Sequence, residues 1–420
     1  MTVIAVVGLQ YGDEGKGKIV DALAEGVDIC VRVNGGDNAG HSVVLPDGCR
    51  SAVHLLPAGA MRPGMIAALG SGMVISPESL LSEIERVREE NPELAVWVDG
   101  RAHVVLPYHR DLDGAMEDTR TKPVGTTRRG NGPAYSHKAL RIGITIGDLT
   151  CDSAELHEKV TAIHRYTEDA LGRDVTPNPD TLTDELRRQG IALMRDITDV
   201  GARLRAEHAR GQSILFSCAH GAMLDIDHGT YPFVTSSTCT AAAIGTVGFD
   251  VRKVDRVVGV VKAYTTRIGT GPFPTEVVGK RAVTIREAGR EFGTTTGRPR
   301  RIGWQDLPAL AYAAAVNGVD ELALTLVDVL CCLRDWLVCT GYSGVTSPHA
   351  PMHPASAYAR AEPILQPLPP MSEDVDAIQA IRNRQLLPET LRVLVDYVQD
   401  ATGVGVTMIS NGPRRHQLIV

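Results

Sequence analysis

The sequence predicts an α/β fold with a mainly parallel central sheet and helices on both of its faces. Three observations lead to this class. Residues 3–7 form an unbroken apolar run rich in β-branched side chains, which is typical of a parallel strand buried on both faces. A glycine-rich loop follows this run directly, and a helical segment follows the loop. Short apolar strands and amphipathic helices then alternate, which favours parallel strands joined by crossover helices.

The predicted strands and helices alternate from the first residues onward. Each predicted strand is a short apolar segment, and each helix carries apolar residues at helical spacing. After the first strand and its loop, we expect a helix over 17–24 and a second strand over 29–33. The later predicted elements are a helix at 80–90 and strands at 67–69, 94–98, 213–216, 257–261 and 321–326.

Two segments depart from this alternation. Residues 152–210 are rich in Glu, Arg, Leu and Ala at helical spacing and contain a turn at 177–179, so we predict helical hairpins outside the sheet. Residues 348–370 carry many prolines and are expected to run over the surface as a loop. Because no linker, repeat or low-complexity tract divides the chain, we expect residues 1–420 to form one large domain with a helical insertion around 152–210.

Composition and charge exclude several classes of protein. A chain with 43% hydrophobic and 22% charged residues is globular rather than fibrous or disordered. Its formal net charge of −7 gives no general attraction to nucleic acid or to acidic membranes, so we expect neither as a partner. The eight cysteines lack CxxC or zinc-type spacing and indicate reduced thiols. Since strand-like sequence also begins directly at the N-terminus, we expect a cytoplasmic protein.

The strongest local signal is the loop at residues 8–18, which reads Gly-Leu-Gln-Tyr-Gly-Asp-Glu-Gly-Lys-Gly-Lys. A glycine-rich turn by itself can be purely structural. This one joins a buried strand to a helix and contains two lysines and two acids, which favours phosphate binding by backbone N–H groups, helix dipole and lysine charge. It is P-loop-like but does not match the P-loop signature, because its spacer is too long and Gly17 replaces Ser or Thr.

Other glycine-rich segments carry further polar candidates. Residues 34–42 include His41 at the end of the second predicted strand, where open α/β sheets bind ligands. A lone histidine is often structural, but this position favours catalysis or phosphate contact. Segments dense in Gly, Thr and Arg lie at 125–133, 262–272 and 293–301. Any one of them could be an exposed basic turn, whereas several in an acidic protein indicate anionic ligands that converge on one site.

Taken in order, the motifs resemble the adenylosuccinate synthetase family over nearly the whole chain. They lie at residues 8–18, 37–41, 132–135, 224–237, 262–276, 294–304 and 410–413. The resemblance implies a ligase that joins L-aspartate to C6 of inosine monophosphate (IMP). A base removes the N1 proton while the γ-phosphoryl group of GTP moves to O6, and the aspartate amine then displaces the phosphate. The resemblance also implies Mg²⁺ as cofactor and a homodimer.

The resemblance assigns the chemistry to the first two glycine-rich loops. Asp13 would be the base and a Mg²⁺ ligand, and the carbonyl of Gly40 would complete the metal shell. His41 would be the acid that neutralises charge on the phosphoryl oxygens, and Lys16 would contact phosphate. Asp13, His41 and Lys16 are therefore the expected catalytic residues.

Other positions are divided by the same resemblance among three substrates. The purine nucleotide is expected at Asn38, Thr127, Arg141, His220, Thr235, Ile268 and Arg298, with Arg141 reaching its phosphate from the neighbouring subunit. Aspartate is expected at Thr295, Thr296, Arg298 and Arg300, where arginine forks suit carboxylates. The NTP is expected at Gly12, Gly15, Lys16, Gly17, Gly40, His41, Asp328, Ser410 and Gly412.

Four positions depart from the family pattern. His220 stands where the family has a glutamine beside the purine, and a neutral imidazole offers one donor and one acceptor from a ring of different shape. Leu326 replaces the lysine of the guanine-reading Thr-Lys-x-Asp motif, although Asp328 is kept. Arg128 stands where glycine is usual, and Asp37 where asparagine is common.

The departures leave three functions open. The first is ligation on IMP with GTP. The second is the same chemistry on guanylate, deoxyguanylate or a purine analogue, with ATP as a further option, and the changes at His220 and Leu326 favour it. The third is a nucleotide-binding regulator on the same fold, against which the retained Asp13 and His41 argue.

Overall fold

Strands and helices alternate along the computed structural model, which describes residues 1–38, 40–44, 48, 50–293, 297–344 and 355–420. The strands of these residues are β1 (Val3–Gly8), β2 (Ile29–Arg32), β3 (His41–Val44), β4 (Arg50–Val53), β5 (Ile66–Leu69), β6 (Val74–Ile75), β7 (Ala95–Asp99), β8 (His103–Val104), β9 (Ile197–Thr198), β10 (Ile214–Ser217), β11 (Arg256–Lys262), β12 (Thr265–Arg267), β13 (Glu276–Val277), β14 (Arg301–Gly303), β15 (Gln305–Asp306), β16 (Glu321–Thr325), β17 (Leu337–Ser343), β18 (Glu362–Pro367), β19 (Val406–Ser410) and β20 (Leu418–Ile419). The α-helices are α1 (Lys16–Leu23), α2 (Pro77–Glu90), α3 (Pro107–Thr119), α4 (Asn131–Leu140), α5 (Ser153–Leu171), α6 (Pro179–Leu193), α7 (Val200–Ala209), α8 (Ala243–Thr246), α9 (Lys280–Ala288), α10 (Leu307–Asn317), α11 (Ala355–Tyr358), α12 (Val375–Ala380) and α13 (Glu389–Thr402).

A ten-stranded central sheet confirms the predicted α/β class. Its order is β20-β19-β16-β11-β1-β10-β2-β5-β7-β9. Neighbouring strands pair in parallel, except that β20 at one edge is antiparallel to β19. Because parallel strands end at the same edge, the loops that follow β1, β2, β10, β16 and β19 lie side by side there.

Alternate residues of β1 enter two different hydrophobic cores. Ala5 and Val7 belong to a cluster that includes Leu310 of α10, whereas Val6 belongs to a cluster with Ile19 of α1. A pleated strand covered on both faces requires this alternation. The arrangement explains why the N-terminal run carries no polar position.

The segment predicted as a helical insertion is mostly helical, as α5, α6 and α7. A break at 172–178 separates α5 from α6, and these two helices pack against each other. The segment departs from the prediction at β9, which pairs in parallel with β7 and forms one edge of the central sheet. Two residues are too short to show an apolar period, which is why the pattern did not reveal this strand.

The proline-rich segment was predicted as a surface loop, and that prediction is wrong over 362–367. These residues form β18, which pairs antiparallel with β17 in a separate three-stranded sheet. Its two prolines, Pro363 and Pro367, have no N–H group to donate to a neighbouring strand. They are tolerated because β18 is an edge strand and pairs on one side only. Residues 355–358 form α11, and the remaining part of the prediction at 348–354 lies outside the described residues.

The described helices have lengths that are typical of helices in globular proteins. Among the described helices α5 is the longest, with 19 residues, and it buries only one face, which includes Leu156, Val160 and Ile163. In the described ranges, no helix combines the length and the apolar character needed to cross a membrane. The cysteines of the same ranges are free thiols, and Cys49 lies outside them.

Candidate active site

The loop between β1 and α1 folds around the buried carboxylate of Glu14. One oxygen, Oε1, accepts hydrogen bonds from the backbone N–H of Gln10 at 3.0 Å and of Gly12 at 2.9 Å, and the other, Oε2, pairs with Nζ of Lys16. Glu14 is fully buried, where a carboxylate without such donors is costly. The hydroxyl of Thr325 donates to the Glu14 carbonyl and ties the loop to the end of β16. Glu14 belongs to the predicted phosphate loop, but the sequence did not reveal this structural role.

Left-handed backbone shapes the same loop. Gly12 and Gly15 both have φ of 82°, a conformation that glycine adopts at little energetic cost. Asp13 has φ of 60°, and for a residue with a Cβ atom this left-handed conformation costs about 1 kcal/mol. Gly15 is the N-cap of α1, so the first N–H groups of that helix face the loop. The predicted base thus sits on strained backbone beside an anion-binding helix end.

Glycine is also required where the loop approaches the segment after β10. A Cβ at Gly8 would lie 2.6 Å from Oε2 of Glu14 and 2.7 Å from the carbonyl oxygen of His220. A Cβ at Gly221 would lie 2.3 Å from the carbonyl oxygen of Gln10. Backbone cannot move aside at these distances, so the two glycines allow the loop and the segment to meet.

A cleft of about 1290 Å³ opens at this edge of the sheet and brings most of the predicted residues together. Thr295 and Thr296 lie outside the described residues. Arg141 is exposed at the end of α4 and does not line the cleft. The predicted residues that do line it are Gly12, Asp13, Gly15, Lys16, Gly17, Asn38, Gly40, His41, Thr127, His220, Thr235, Ile268, Arg298, Arg300, Asp328, Ser410 and Gly412.

A chain of ion pairs joins the predicted base to the predicted aspartate-binding loop. Nε of Arg300 lies 2.8 Å from Oδ2 of Asp13, and its Nη1 donates to Oε2 of Glu291 at 2.6 Å. Oε1 of Glu291 in turn accepts from Nζ of Lys262 at 2.8 Å. Glu291 and Lys262 are buried, and neither was singled out from the sequence. An acid two residues before the Gly/Thr/Arg segment at 293–301 was the available signal.

Two histidines face the cleft in their uncharged forms. Burial, with the charges of Arg32 and Lys16 adding to it, lowers the pKa of His41 well below its ordinary value. The same causes lower the pKa of His220 to about 3. In the described structure, the Nδ1 atoms of both rings are buried and have no hydrogen-bond partner. Both rings line the cleft, and a buried polar atom normally has a hydrogen-bond partner, so these nitrogens are candidates for a contact with substrate.

The loop that carries Thr127 is held by two acids of α3. Asp113 accepts from the hydroxyl of Thr126 at 2.8 Å and from the N–H of Gly130 at 3.0 Å. Glu117 accepts from the N–H of Gly125 at 2.6 Å. The sequence analysis did not predict this pair, although two acids four residues apart on one helix face are a recognisable signal.

Asp37, one of the departures, is a buried acid beside the cleft. Burial raises its pKa, against the opposing effect of Arg129, whose Nη1 lies 3.7 Å from Oδ2. Within the described chain neither carboxylate oxygen has a hydrogen-bond partner. The Oδ1 of Asn38 and both side-chain polar atoms of Asn131 are in the same condition, and these two residues line the cleft. The departure Arg128 instead points to the surface, where it pairs with Asp118.

The opposite end of the cleft is closed by the C-terminal segment. Nζ of Lys18, on α1, donates to Oγ of Ser410 at 2.8 Å and to the carbonyl of Gly412. Burial lowers the pKa of Lys18 to about 8, although the charge of Asp328 opposes the shift. These hydrogen bonds connect α1, which follows the phosphate loop, to the predicted NTP residues Ser410 and Gly412.

The donor set of the cleft fits Mg²⁺. Asp13 and Gly40 both line it and offer a carboxylate and a carbonyl oxygen. The described residues contain no cluster of three or more His, Cys, Asp or Glu able to hold a metal alone. Mg²⁺ is usually bound by one or two carboxylates and completes its shell with phosphate oxygens and water, so this sparse set next to a phosphate loop suits that ion.

The fold and the cleft at the carboxyl ends of its strands are those of a nucleotide-binding enzyme. Comparison with known proteins agrees. Residues 5–419 match the adenylosuccinate synthetase family. The adenylosuccinate synthetase of Desulforudis audaxviator is 42% identical over 429 residues, which cover 100% of this chain and 98% of that protein. That of Thermoplasma volcanium is 42% identical over 422 residues, which cover 99% and 96%.

Solved structures give the same result. The fully ligated adenylosuccinate synthetase of Plasmodium falciparum has a TM-score of 0.93 and 35% identity, with 100% of both chains covered. The chain belongs to the adenylosuccinate synthetase family and is an NTP-dependent ligase of purine biosynthesis that forms a C–N bond. The cyanophage S-2L succinoaminodeoxyadenylate synthetase bound to dGMP and dATP has a TM-score of 0.64 and 24% identity over 99% and 94% of the chains, which shows a shared fold alone.

Replacing Gly8 by Ala should damage the phosphate loop. The added methyl group meets the Glu14 carboxylate and the His220 carbonyl, so we expect a loss of about 1–3 kcal/mol in stability and of at least tenfold in NTP affinity. Thermal unfolding and nucleotide titration measure the two effects. Gly100→Ala is the matched control, because its nearest neighbouring atom lies 3.6 Å away. Equal behaviour of the two variants would contradict the loop packing.

Stability should decrease as the pH falls below about 6.5. His220 has a lowered pKa, so the unfolded chain binds more protons than the folded one between about 6.5 and the folded pKa of about 3. The stabilisation is therefore complete above that window and is lost as the pH falls through it. Urea unfolding between pH 7.5 and 5 should show a shallower pH dependence for His220→Gln than for the parent. The exposed His228→Gln should leave it unchanged, and identical slopes in all three proteins would refute the assignment.

Proposed function

We propose that the chain joins L-aspartate to C6 of IMP, with GTP and Mg²⁺, through a 6-phosphoryl intermediate. The observation that carries this proposal is that Asp13, Lys16 and His41 line one cleft together with Arg300. The cleft thus offers a base, fixed positive charge and a carboxylate-binding fork around one space. Adenylosuccinate synthetases are its relatives across the whole chain.

In the first step, the Asp13 carboxylate takes the N1 proton of the purine, and electron density moves to O6. Its ion pair with Arg300 and its left-handed backbone fix where this carboxylate points. The O6 atom then attacks the γ-phosphorus of GTP, and GDP leaves. Preorganisation of the base is supported because Arg300 is itself held by Glu291.

Positive charge around the phosphoryl group comes from the loop and its helix. Lys16, the first N–H groups of α1 and an N–H of His41 surround the developing anion. A Mg²⁺ ion, held by Asp13 and the Gly40 carbonyl, would supply Lewis-acid polarisation of the phosphate oxygens when bound. Lys16 exchanges part of its pairing with Glu14 for the phosphate, while Glu14 keeps its two backbone donors.

In the second step, aspartate is oriented by Arg298, Arg300, Thr295 and Thr296. Its neutral amine attacks C6, the C6–N bond forms, the C6–O bond breaks with inorganic phosphate as the leaving group, and the nitrogen loses one proton to the departing phosphate. Arginine forks bind carboxylates in bidentate fashion, which aligns the amine with C6. Arg300 lines the cleft beside Asp13, so the base and the amino acid act on neighbouring atoms of one ring.

The nucleotide monophosphate is held by Asn38, Thr127, Thr235 and Ile268, with Arg141 contributed by a second copy of the chain. The exposed position of Arg141 supports this role. Its neighbours Leu140 and Ile142 are 49% and 36% exposed, and Tyr166 of α5 is 44% exposed, as at a surface that a partner covers. We propose a cytoplasmic homodimer in which residues 1–420 act as one domain.

A second candidate substrate is a 6-oxopurine nucleotide that carries a 2-amino group, GMP or dGMP. The observation in its favour is His220, which lines the cleft with an unpaired Nδ1 where the family has glutamine. A neutral ring presents a different hydrogen-bond edge to the purine. An assay with Mg²⁺, aspartate, each of IMP, GMP and dGMP, and each of GTP and ATP separates the candidates. Phosphate release without any purine dependence would contradict both.

Asp13→Asn should abolish turnover while leaving nucleotide binding nearly intact. The amide has the same shape but cannot take the N1 proton, so we expect kcat to fall about 10²- to 10⁴-fold. Titration calorimetry should show IMP affinity within about tenfold of the parent, because a base acts mainly in the transition state. Asp118→Asn, on an exposed acid outside the cleft, is the control. Undiminished turnover in Asp13→Asn would remove Asp13 from this role.

His220→Gln should shift the substrate profile toward IMP if His220 reads a different purine edge. We expect the ratio of kcat/KM for IMP to that for GMP to rise about tenfold. This change corresponds to the free energy of one or two hydrogen bonds. Steady-state kinetics on both nucleotides measure the ratio. A profile identical to that of the parent would mean that the departure at His220 is neutral drift and does not set the choice of purine.

A further inference from the structure

A chain of two side-chain amides ends on Asp328 at the C-terminal side of the cleft. The backbone N–H of Arg414 donates to Oε1 of Gln417 at 2.8 Å. Nε2 of Gln417 donates to Oε1 of Gln379 at 3.1 Å, and Nε2 of Gln379 donates to Oδ2 of Asp328 at 3.0 Å. A backbone N–H is only a donor, so it fixes the direction of the first amide and thereby of the second. Gln379 therefore presents its NH₂ group, and not its carbonyl, beside Asp328.

Neighbouring residues hold the amides of Gln417 and Gln379 in place. Gln417 is buried, and a Cβ at Gly412 would lie 2.4 Å from its Oε1, so glycine is needed there to admit the amide. Nζ of Lys18 donates to the Gln417 carbonyl at 2.6 Å, which connects the chain to the phosphate-loop helix α1. Nδ2 of Asn411 donates to two carbonyls of the α12 segment, at 2.7 and 2.9 Å, and so fixes the helix that carries Gln379.

The NH₂ group of Gln379 and the carboxylate of Asp328 form a donor–acceptor edge in the cleft. Gln379 and Asp328 both line it, and the apolar residues Leu326, Val329 and Val375 line the same cleft. An NH₂ group has two hydrogens, and only one of those of Gln379 is engaged with Asp328. The edge thus offers an N–H donor next to a carboxylate acceptor, in a cleft whose apolar residues suit a flat heteroaromatic ring.

We propose that Gln379 is a specificity-determining residue that reads the guanine base of the NTP together with Asp328. Its NH₂ donates to O6, while the carboxylate of Asp328 accepts from N1–H and from the 2-amino group. This inference rests on the proposed function, with GTP as the phosphoryl donor, and on the expectation from the family resemblance that Asp328 contacts the NTP base. Adenine has one donor and one acceptor on the same edge and makes one hydrogen bond fewer. The Gln379 amide supplies a donor that the apolar Leu326 lacks.

Titration calorimetry with GDP and ADP, in the presence of Mg²⁺, tests the proposal on the full chain. The parent should bind GDP at least about tenfold more tightly than ADP. Gln379→Leu should weaken GDP about tenfold and ADP less than about threefold. The nearly isosteric Gln379→Glu, which has no donor, should lose the GDP preference at least as strongly. Gln417→Leu, which frees the direction of the Gln379 amide, should lower the GDP-to-ADP ratio in the same sense.

Gln189→Leu is the matched control, because its amide donates to a carboxylate at 3.1 Å on α6, away from the cleft. It should leave both affinities unchanged. An unchanged GDP-to-ADP ratio in both Gln379 variants, an equal loss for both nucleotides, or a parent that prefers ADP would each overturn the proposal. Binding needs no turnover, so a Gln379-dependent preference for GDP without ligation would refute the proposed reaction and keep this inference. Ligation with a ratio that is insensitive to Gln379 would do the reverse.

Discussion

The active site depends on the pairing of the buried Glu14 carboxylate with two backbone N–H groups and Lys16. Removal of a carboxylate from water costs several kcal/mol, which only a complete set of donors offsets. Two backbone N–H groups and Lys16 provide that set, so the donors and the acid require one another. The loop between β1 and α1 takes a single shape as a result, with Asp13 on strained backbone and the helix N-terminus facing the cleft.

Ion pairs and hydrogen bonds of charged side chains connect this loop and its helix α1 to both sides of the cleft. Arg300 contacts Asp13 on one side and Glu291 on the other, so one guanidinium positions the predicted base and belongs to the predicted aspartate loop. Lys18 performs a similar connection at the opposite end, between α1 and the C-terminal segment. Because the net charge of the chain is −7, attraction for the three anionic substrates of the proposed reaction must come from these few fixed cations rather than from an overall positive field.

The sequence was sufficient for the parts that short-range patterns encode. The apolar run of β1 predicted a parallel strand covered on both faces, and glycines with lysines predicted the loop after it. It failed for β9 and β18, because a two-residue strand has no period and prolines in an edge strand resemble a loop. The pairs of Glu291 with Lys262 and of Gln379 with Asp328 were missed because the partners lie 29 and 51 residues apart in the chain, and no local pattern shows such distant pairs.

The most direct test of the central claim follows the oxygen atom at C6. The account holds that one cleft makes this oxygen a leaving group by phosphorylating it before aspartate attacks. IMP labelled with ¹⁸O at position 6 is incubated with the parent protein, aspartate, GTP and Mg²⁺, and the released phosphate is examined by mass spectrometry. The account predicts that the label appears in inorganic phosphate, in proportion to the nucleotide product formed. Product formation with unlabelled phosphate would contradict it.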